Sequence, residues 1–152
     1  MEARVNAWKD APQLMQGFLA LNDQIEAAGL EPSLLHLVKL RASQLNGCAF
    51  CVDMHTREAR KDGETEQRLY LTSAWRDSFL YTSRERAALA WTEAVTRLGA
   101  QGPDDALWAE TRQHFPDDQI IKLTAVVVMI NSWNRLSVAF RSVHAAPGAV
   151  AA

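Results

Sequence analysis

The chain has 152 residues, 48% hydrophobic and 22% charged, with a formal net charge of −2. That length suits one domain, the hydrophobic share sustains a core and argues against disorder, and the small charge gives no electrostatic case for nucleic acid or an anionic membrane. The opening residues MEARVNAWKD are charged and lack the apolar stretch of a leader, so a cytoplasmic protein is expected.

Helical punctuation runs along the whole sequence. Pro12, after Asp10, opens a first helix whose Leu14, Phe18, Leu21 and Ile25 recur at helical spacing, and Gly29 can close it. Pro32 opens a second, carrying Leu34, Leu35, Leu37, Val38, Leu40 and Leu45 and stopping around Asn46-Gly47. A third runs from about Cys48 to Lys61 and ends at Gly63, and a shorter fourth covers roughly Glu66 to Trp75. Thr82 and Glu85 have the spacing of a capping box and start a fifth through Leu98, with Gly99 at its end. Pro103 opens a short sixth. The last begins after Pro116-Asp117 and reaches about Arg141, and the residues from about 142, SVHAAPGAVAA, read as a flexible tail.

No alternating run suggests a sheet. The expectation is all-α: a single helical domain over residues 1–152 with about six to seven helices. The greasiest run, Thr124 to Ile130, is too short to span a bilayer and reads as a buried helix segment. The second and last helices are apolar nearly all round. Such helices need burial on every side, so an oligomer that shares helices between subunits is expected.

The chemistry concentrates in NGCAFCVDMH, Asn46 to His55, which holds the only two cysteines of the chain. Cys48 stands where a helix starts, so free backbone N–H groups and the helix dipole favour a thiolate there. Cys51 and His55 are i and i+4, on one helix face with Cβ atoms about 6 Å apart. A histidine beside a thiol also favours the thiolate. Either cysteine could therefore be the reactive one. A purely structural reading makes both small core residues, and their placement counts against it. A zinc reading would need about four ligands, such as Cys48, Cys51, His55 and either His36 or Asp53. No second CxxC or HxxxH pair supports it.

The stretch KLRASQLNGCAFCVDMHTREARKDGE, with TSRERAALAWTEAVTRL downstream, resembles the alkylhydroperoxidase D-like proteins of the wider carboxymuconolactone decarboxylase family. The resemblance covers most of the chain and is strongest from about Leu34 to Leu98. It implies an all-helical subunit assembled as a hexamer or a trimer, with a CxxC helix in each active site. It also implies that Cys51 attacks the peroxide and forms a sulfenic acid, that Cys48 gives a proton and closes a Cys48–Cys51 disulfide, and that His55 belongs to a proton relay. The position where the family commonly places the relay's first glutamate is His36 here. A histidine can carry a proton in that place, but it cannot stabilise a protonated His55 by opposite charge.

The resulting expectation is a thiol-dependent peroxidase acting on organic hydroperoxides, with catalytic residues Cys48, Cys51, His55 and His36 and no cofactor. An external dithiol, of lipoyl or thioredoxin-like type, would reduce it. Two alternatives stand beside this: a carboxymuconolactone decarboxylase-like acid–base enzyme, and a non-enzymatic redox-sensing or zinc-stabilised helical module. Asp53 and Glu58 are expected on solvated or interface faces. Trp75, Tyr81 and Trp91 are candidates for a pocket wall but fit a core better.

Overall fold

The computed structural model describes residues 2–144. Among them are eight α-helices and no strand: α1 (Ala7–Asp10), α2 (Pro12–Glu26), α3 (Pro32–Leu45), α4 (Ala49–Lys61), α5 (Glu66–Leu71), α6 (Ser83–Thr96), α7 (Asp105–His114) and α8 (Asp117–Phe140). A 3-10 segment, Thr72–Asp77, follows α5. The all-α expectation holds, and most boundaries fall where the prolines, caps and glycines put them. The capping box of α6 is formed in both directions: Thr82 Oγ1 accepts from Glu85 N, and Glu85 accepts from Thr82 N.

Three local differences have identifiable causes. The single turn of α1 is capped by the Asn6 side chain, a signal hidden by the charged opening residues. The expected fourth helix breaks at non-helical Ala74, inside the 3-10 segment that carries the buried Trp75. Helix α6 stops at Thr96, with Arg97 as its C-cap donating from N to Glu93 O, and Gly99 is not in the left-handed conformation that would close a helix there. The expected tail is described only to His144; residues 145–152 lie outside the described part.

Helix α3 is the centre of the fold, packed against α4, α6, α8 and the 3-10 segment. Its apolar residues divide among three core clusters. Leu34, Leu35 and Val38 join Ala87, Ala88 and Trp91 of α6 and Leu123 and Val127 of α8. Leu37 meets Trp75, Tyr81 and Leu89, and Leu40 meets Ala59 and Leu69. The helix therefore finds burial on all these faces within one chain, where the sequence suggested a partner subunit. Trp75, Tyr81 and Trp91 are core residues, as their spacing favoured.

Helix α8 is long and apolar enough, by length and composition, to cross a membrane. It packs against α2, α3 and α6, and Asn131 and Asn134 on it are buried and hydrogen-bonded, the pattern of a core helix. Arg141 ends it with a left-handed turn (φ 55°). Arg4 then takes two of its terminal carbonyls, donating from N to Phe140 O (2.9 Å) and from Nη1 to Ala139 O (3.1 Å). This ties the N-terminal segment to the end of α8.

Glu93 of α6 is buried and joins α3, α6 and the 3-10 segment. Its carboxylate accepts from Trp75 Nε1 (2.8 Å), Arg41 Nε (2.7 Å) and Arg76 Nη1. Burial pushes its carboxyl up, but the hydrogen bonds from Trp75, Arg76 and Arg41 outweigh that and hold it below the usual carboxylate range. A carboxylate lowered by folding adds stability above its unfolded value, and that stability is lost as pH falls through the folded value. Glu93→Ala should destabilise the fold by about 3 kcal/mol in urea unfolding, since it leaves Arg41 and Trp75 without their acceptor. Wild-type melting temperature should fall below about pH 4, and Glu93→Gln should remove part of that acid limb.

Candidate active site at the start of helix α4

Asn46-Gly47 forms the turn between α3 and α4. Gly47 is left-handed (φ 64°), which a side chain would resist, and it lets Cys48 N return to Ser43 O at 3.0 Å. Cys48 is then the N-cap of α4, its Sγ accepting from Cys51 N at 3.3 Å where a hydroxyl oxygen would otherwise serve. Cys48 and Cys51 are both buried and form a disulfide, with Cα atoms 5.3 Å apart.

The turn is clamped from behind by α8. Asn46 Nδ2 donates to Asn131 Oδ1 (2.9 Å) and Asn134 Oδ1 (2.8 Å), and Asn134 Nδ2 donates to Ser43 Oγ (3.0 Å). Asn134 is fully buried, so this amide ladder has no water to replace a lost partner.

A cavity of about 800 Å³ opens beside α4, and Cys51, His55, Glu58, His36 and Lys39 line it. Cys48 does not. The rest of the wall is largely apolar and includes Trp8 and Trp133, stacked with ring centroids 6.4 Å apart. The pocket aromatics are thus Trp8, Phe50, Trp133 and Phe140, and Trp75, Tyr81 and Trp91, singled out in sequence, lie elsewhere.

Two imidazoles face this cavity's polar end, and each is braced by a carboxylate. His55, 4% exposed, has Nδ1 2.9 Å from Glu58 Oε2. His36, 8% exposed, has Nε2 2.8 Å from Asp62 Oδ2. An ionised carboxylate only accepts, so these nitrogens carry the protons and donate. The opposite nitrogens, His55 Nε2 and His36 Nδ1, are buried and without a partner. In a neutral ring each is a lone pair able to take a proton. Glu58 is held below the usual carboxylate range, first by the hydrogen bond from His55, against burial, with the charges of His55, Lys39 and His36 adding to the effect. Lys39 is itself buried and paired with Glu26 at 2.9 Å.

Of the four catalytic candidates, Cys51 and His55 of α4 and His36 of α3 line this one cavity, and Cys48, the N-cap of α4, is bonded to Cys51 outside that lining. Glu58 departs from expectation. It is half-exposed, but its carboxylate turns onto His55; the i, i+3 spacing was the available signal. Asp62 could not have been found that way, because it meets His36 across 26 positions of sequence. Asp53 pairs with Arg57 on the outer face of α4. Among the described residues no group of three or more His, Cys, Asp or Glu side chains is placed to hold a metal ion.

The model of the carboxymuconolactone decarboxylase family matches residues 12–94. Over 139 residues the chain is 39% identical to the uncharacterized protein YdfG of Bacillus subtilis (strain 168), covering 91% of this chain and 95% of that one. A crystal structure of ATU0492 from Agrobacterium tumefaciens, a protein of unknown function with a suggested role in AhpD-type antioxidant defence, superposes with a TM-score of 0.93 at 46% identity. The match covers 95% of this chain and 99% of that one. A peroxidase-related protein from Silicibacter sp. TM1040 shares the fold at 22% identity, with a TM-score of 0.81 over 92% of this chain and 74% of its own. The fold is alkylhydroperoxidase D-like.

The amide ladder gives a direct test of how the CxxC turn is held. Asn134→Leu removes both a donor and an acceptor, leaving Asn46 and Ser43 short of buried partners. It should lower stability by about 2 kcal/mol in denaturant unfolding. A leucine at an exposed position of the same helix, Val128→Leu, should stay within about 0.5 kcal/mol.

Proposed function

We propose that this chain, which belongs to the carboxymuconolactone decarboxylase family, is a thiol-dependent peroxidase of the alkylhydroperoxidase D type, acting in the cytoplasm as a single-domain subunit. Family and neighbours support an enzyme of peroxidase-related or decarboxylase-like character. The observation that carries the narrower reading is the position of Cys51. It is bonded to Cys48 and lines the large, mostly apolar cavity one helical turn from His55, while Cys48 is shut away from that cavity.

In the reduced protein, His55 Nε2 takes the Cys51 proton. The thiolate attacks the terminal peroxide oxygen of an organic hydroperoxide; the O–O bond breaks and the alkoxide leaves, taking a proton to become the alcohol. The sulfenic acid at Cys51 then condenses with the Cys48 thiol, forming the disulfide and releasing water. A dithiol of lipoyl or thioredoxin-like type supplies two electrons and two protons to restore both thiols. His36, on the same cavity and held by Asp62, serves as the second proton-carrying group.

An acid–base reading of the decarboxylase kind draws on one observation, the two carboxylate-braced imidazoles. Counting thiols separates the two. One equivalent of organic hydroperoxide should consume both thiols of the reduced protein, and no loss would favour the acid–base enzyme. Cys51→Ser should abolish peroxide consumption. Cys48→Ser should leave a sulfenic acid at Cys51 that a trapping reagent captures. Labelling of Cys48 in the Cys51→Ser protein would exchange the two roles.

The same reading includes a homo-oligomer, a hexamer or a trimer. Leu34 to Leu40 are already covered within the chain, so the contact must use other residues. Ile121, Val128 and Val138 of α8, with Leu14 and Leu21 of α2, leave apolar side chains in water and supply such a face. Light scattering at micromolar concentration should give a mass of several subunits, and a stable monomer would remove the idea.

A further inference from the structure

We infer that Glu58 is a positioning residue for Cys51: its carboxylate fixes His55 with the proton on Nδ1 and Nε2 open, supplying from α4 the negative charge that a histidine at position 36 cannot. The inference rests on Cys51 being the reactive thiol.

Three observations lead to it. Position 36 holds a histidine, and α3 brings His36 and Lys39 to the cavity wall but no carboxylate. His55 is nevertheless buried and needs a partner for its Nδ1 proton, and Glu58 Oε2 lies 2.9 Å from that nitrogen. The neighbouring acidic groups are committed elsewhere: Asp62 to His36, and Glu26 to Lys39. An ordinary surface pair at i, i+3 would join two solvated side chains. Here one member is 4% exposed and its remaining nitrogen is buried without a partner, one turn from Cys51.

The charges around Glu58 suit the role. His55 and Lys61 come from α4, Asp62 from its C-cap, His36 and Lys39 from α3, and Glu26 from α2. Lys39 and His36 add to the pull of His55 in keeping the Glu58 carboxyl ionised. An ionised Glu58 lowers the cost of placing a proton on His55 Nε2, and so favours the Cys51 thiolate over the thiol. Because Glu58 is half-exposed, solvent weakens this, and the effect falls at the low end for a carboxylate in contact with an imidazole.

The test is alkylation of the reduced protein by iodoacetamide across about pH 5 to 9, with Cys51 modification read by peptide mass spectrometry. Glu58→Gln keeps shape and surface position but removes the charge. It should move the pH of half-maximal reactivity upward by about one unit, a tenfold loss at the foot of the curve. Glu58→Asp should lie nearer wild type than Glu58→Gln does. Thermal unfolding of the three proteins should agree, as expected for a half-exposed site. Superimposable wild-type and Glu58→Gln profiles would overturn the role. Peroxide consumption measured in parallel keeps the two ideas apart. A shifted profile without peroxide consumption leaves Glu58 positioned for other thiol chemistry, and consumption with an unmoved profile leaves the peroxidase without this residue.

Discussion

Everything in this protein depends on how α3 is buried. The helix sends apolar side chains into three core clusters at once, and only a narrow stripe is left for polar groups. On that stripe stand His36, Lys39 and Ser43, three and four residues apart and all buried. Each must find a partner or destabilise the helix, and each does: Asp62 for His36, Glu26 for Lys39, and Asn134 for Ser43. These obligations pin α4, α2 and α8 around one line. The cavity lies where the apolar packing gives way to it.

The chemistry of the site follows from two solutions to one problem, a buried imidazole. Each ring satisfies one nitrogen with a carboxylate and leaves the other bare. Such an arrangement fixes the tautomer and makes the bare nitrogen a proton acceptor. Both rings line the same largely apolar cavity as Cys51 of the disulfide, which places acid–base groups and a sulfur on one wall. The cavity wall is built from the far ends of the chain, Trp8 stacked on Trp133, with Arg4 fastening the N-terminal segment to α8. The matched family region, residues 12–94, therefore holds the candidate site residues, and segments outside it close one side of the cavity.

The CxxC turn needs the same tertiary support. A glycine in the left-handed region and an N-cap sulfur can be written locally, but they do not fix the direction of α4. That direction comes from Asn46 gripping two asparagines of α8, a contact spanning more than half the chain. Glu93 does an analogous job on the opposite side of α3, joining it to the 3-10 segment through Arg41, Trp75 and Arg76. Buried polar groups specify the arrangement here, and apolar area supplies the cohesion.

By itself the sequence determined most of the helices, the capping box of α6 and the grouping of Cys48, Cys51 and His55, because these depend on spacings of three and four residues along one helix. Periodicity also showed that α3 is apolar nearly all round, but not what covers it; three faces are covered by the chain itself. Glu58 was half legible, since its spacing to His55 was visible while the rotamer joining them was not. The pairing of His36 with Asp62, the choice of Cys51 as the cysteine on the cavity, and the walls of that cavity were decided only by tertiary structure. Each depends on side chains brought together across tens of residues, and local pattern carries no information about which of several exposed-looking carboxylates will reach a buried imidazole once the helices have packed.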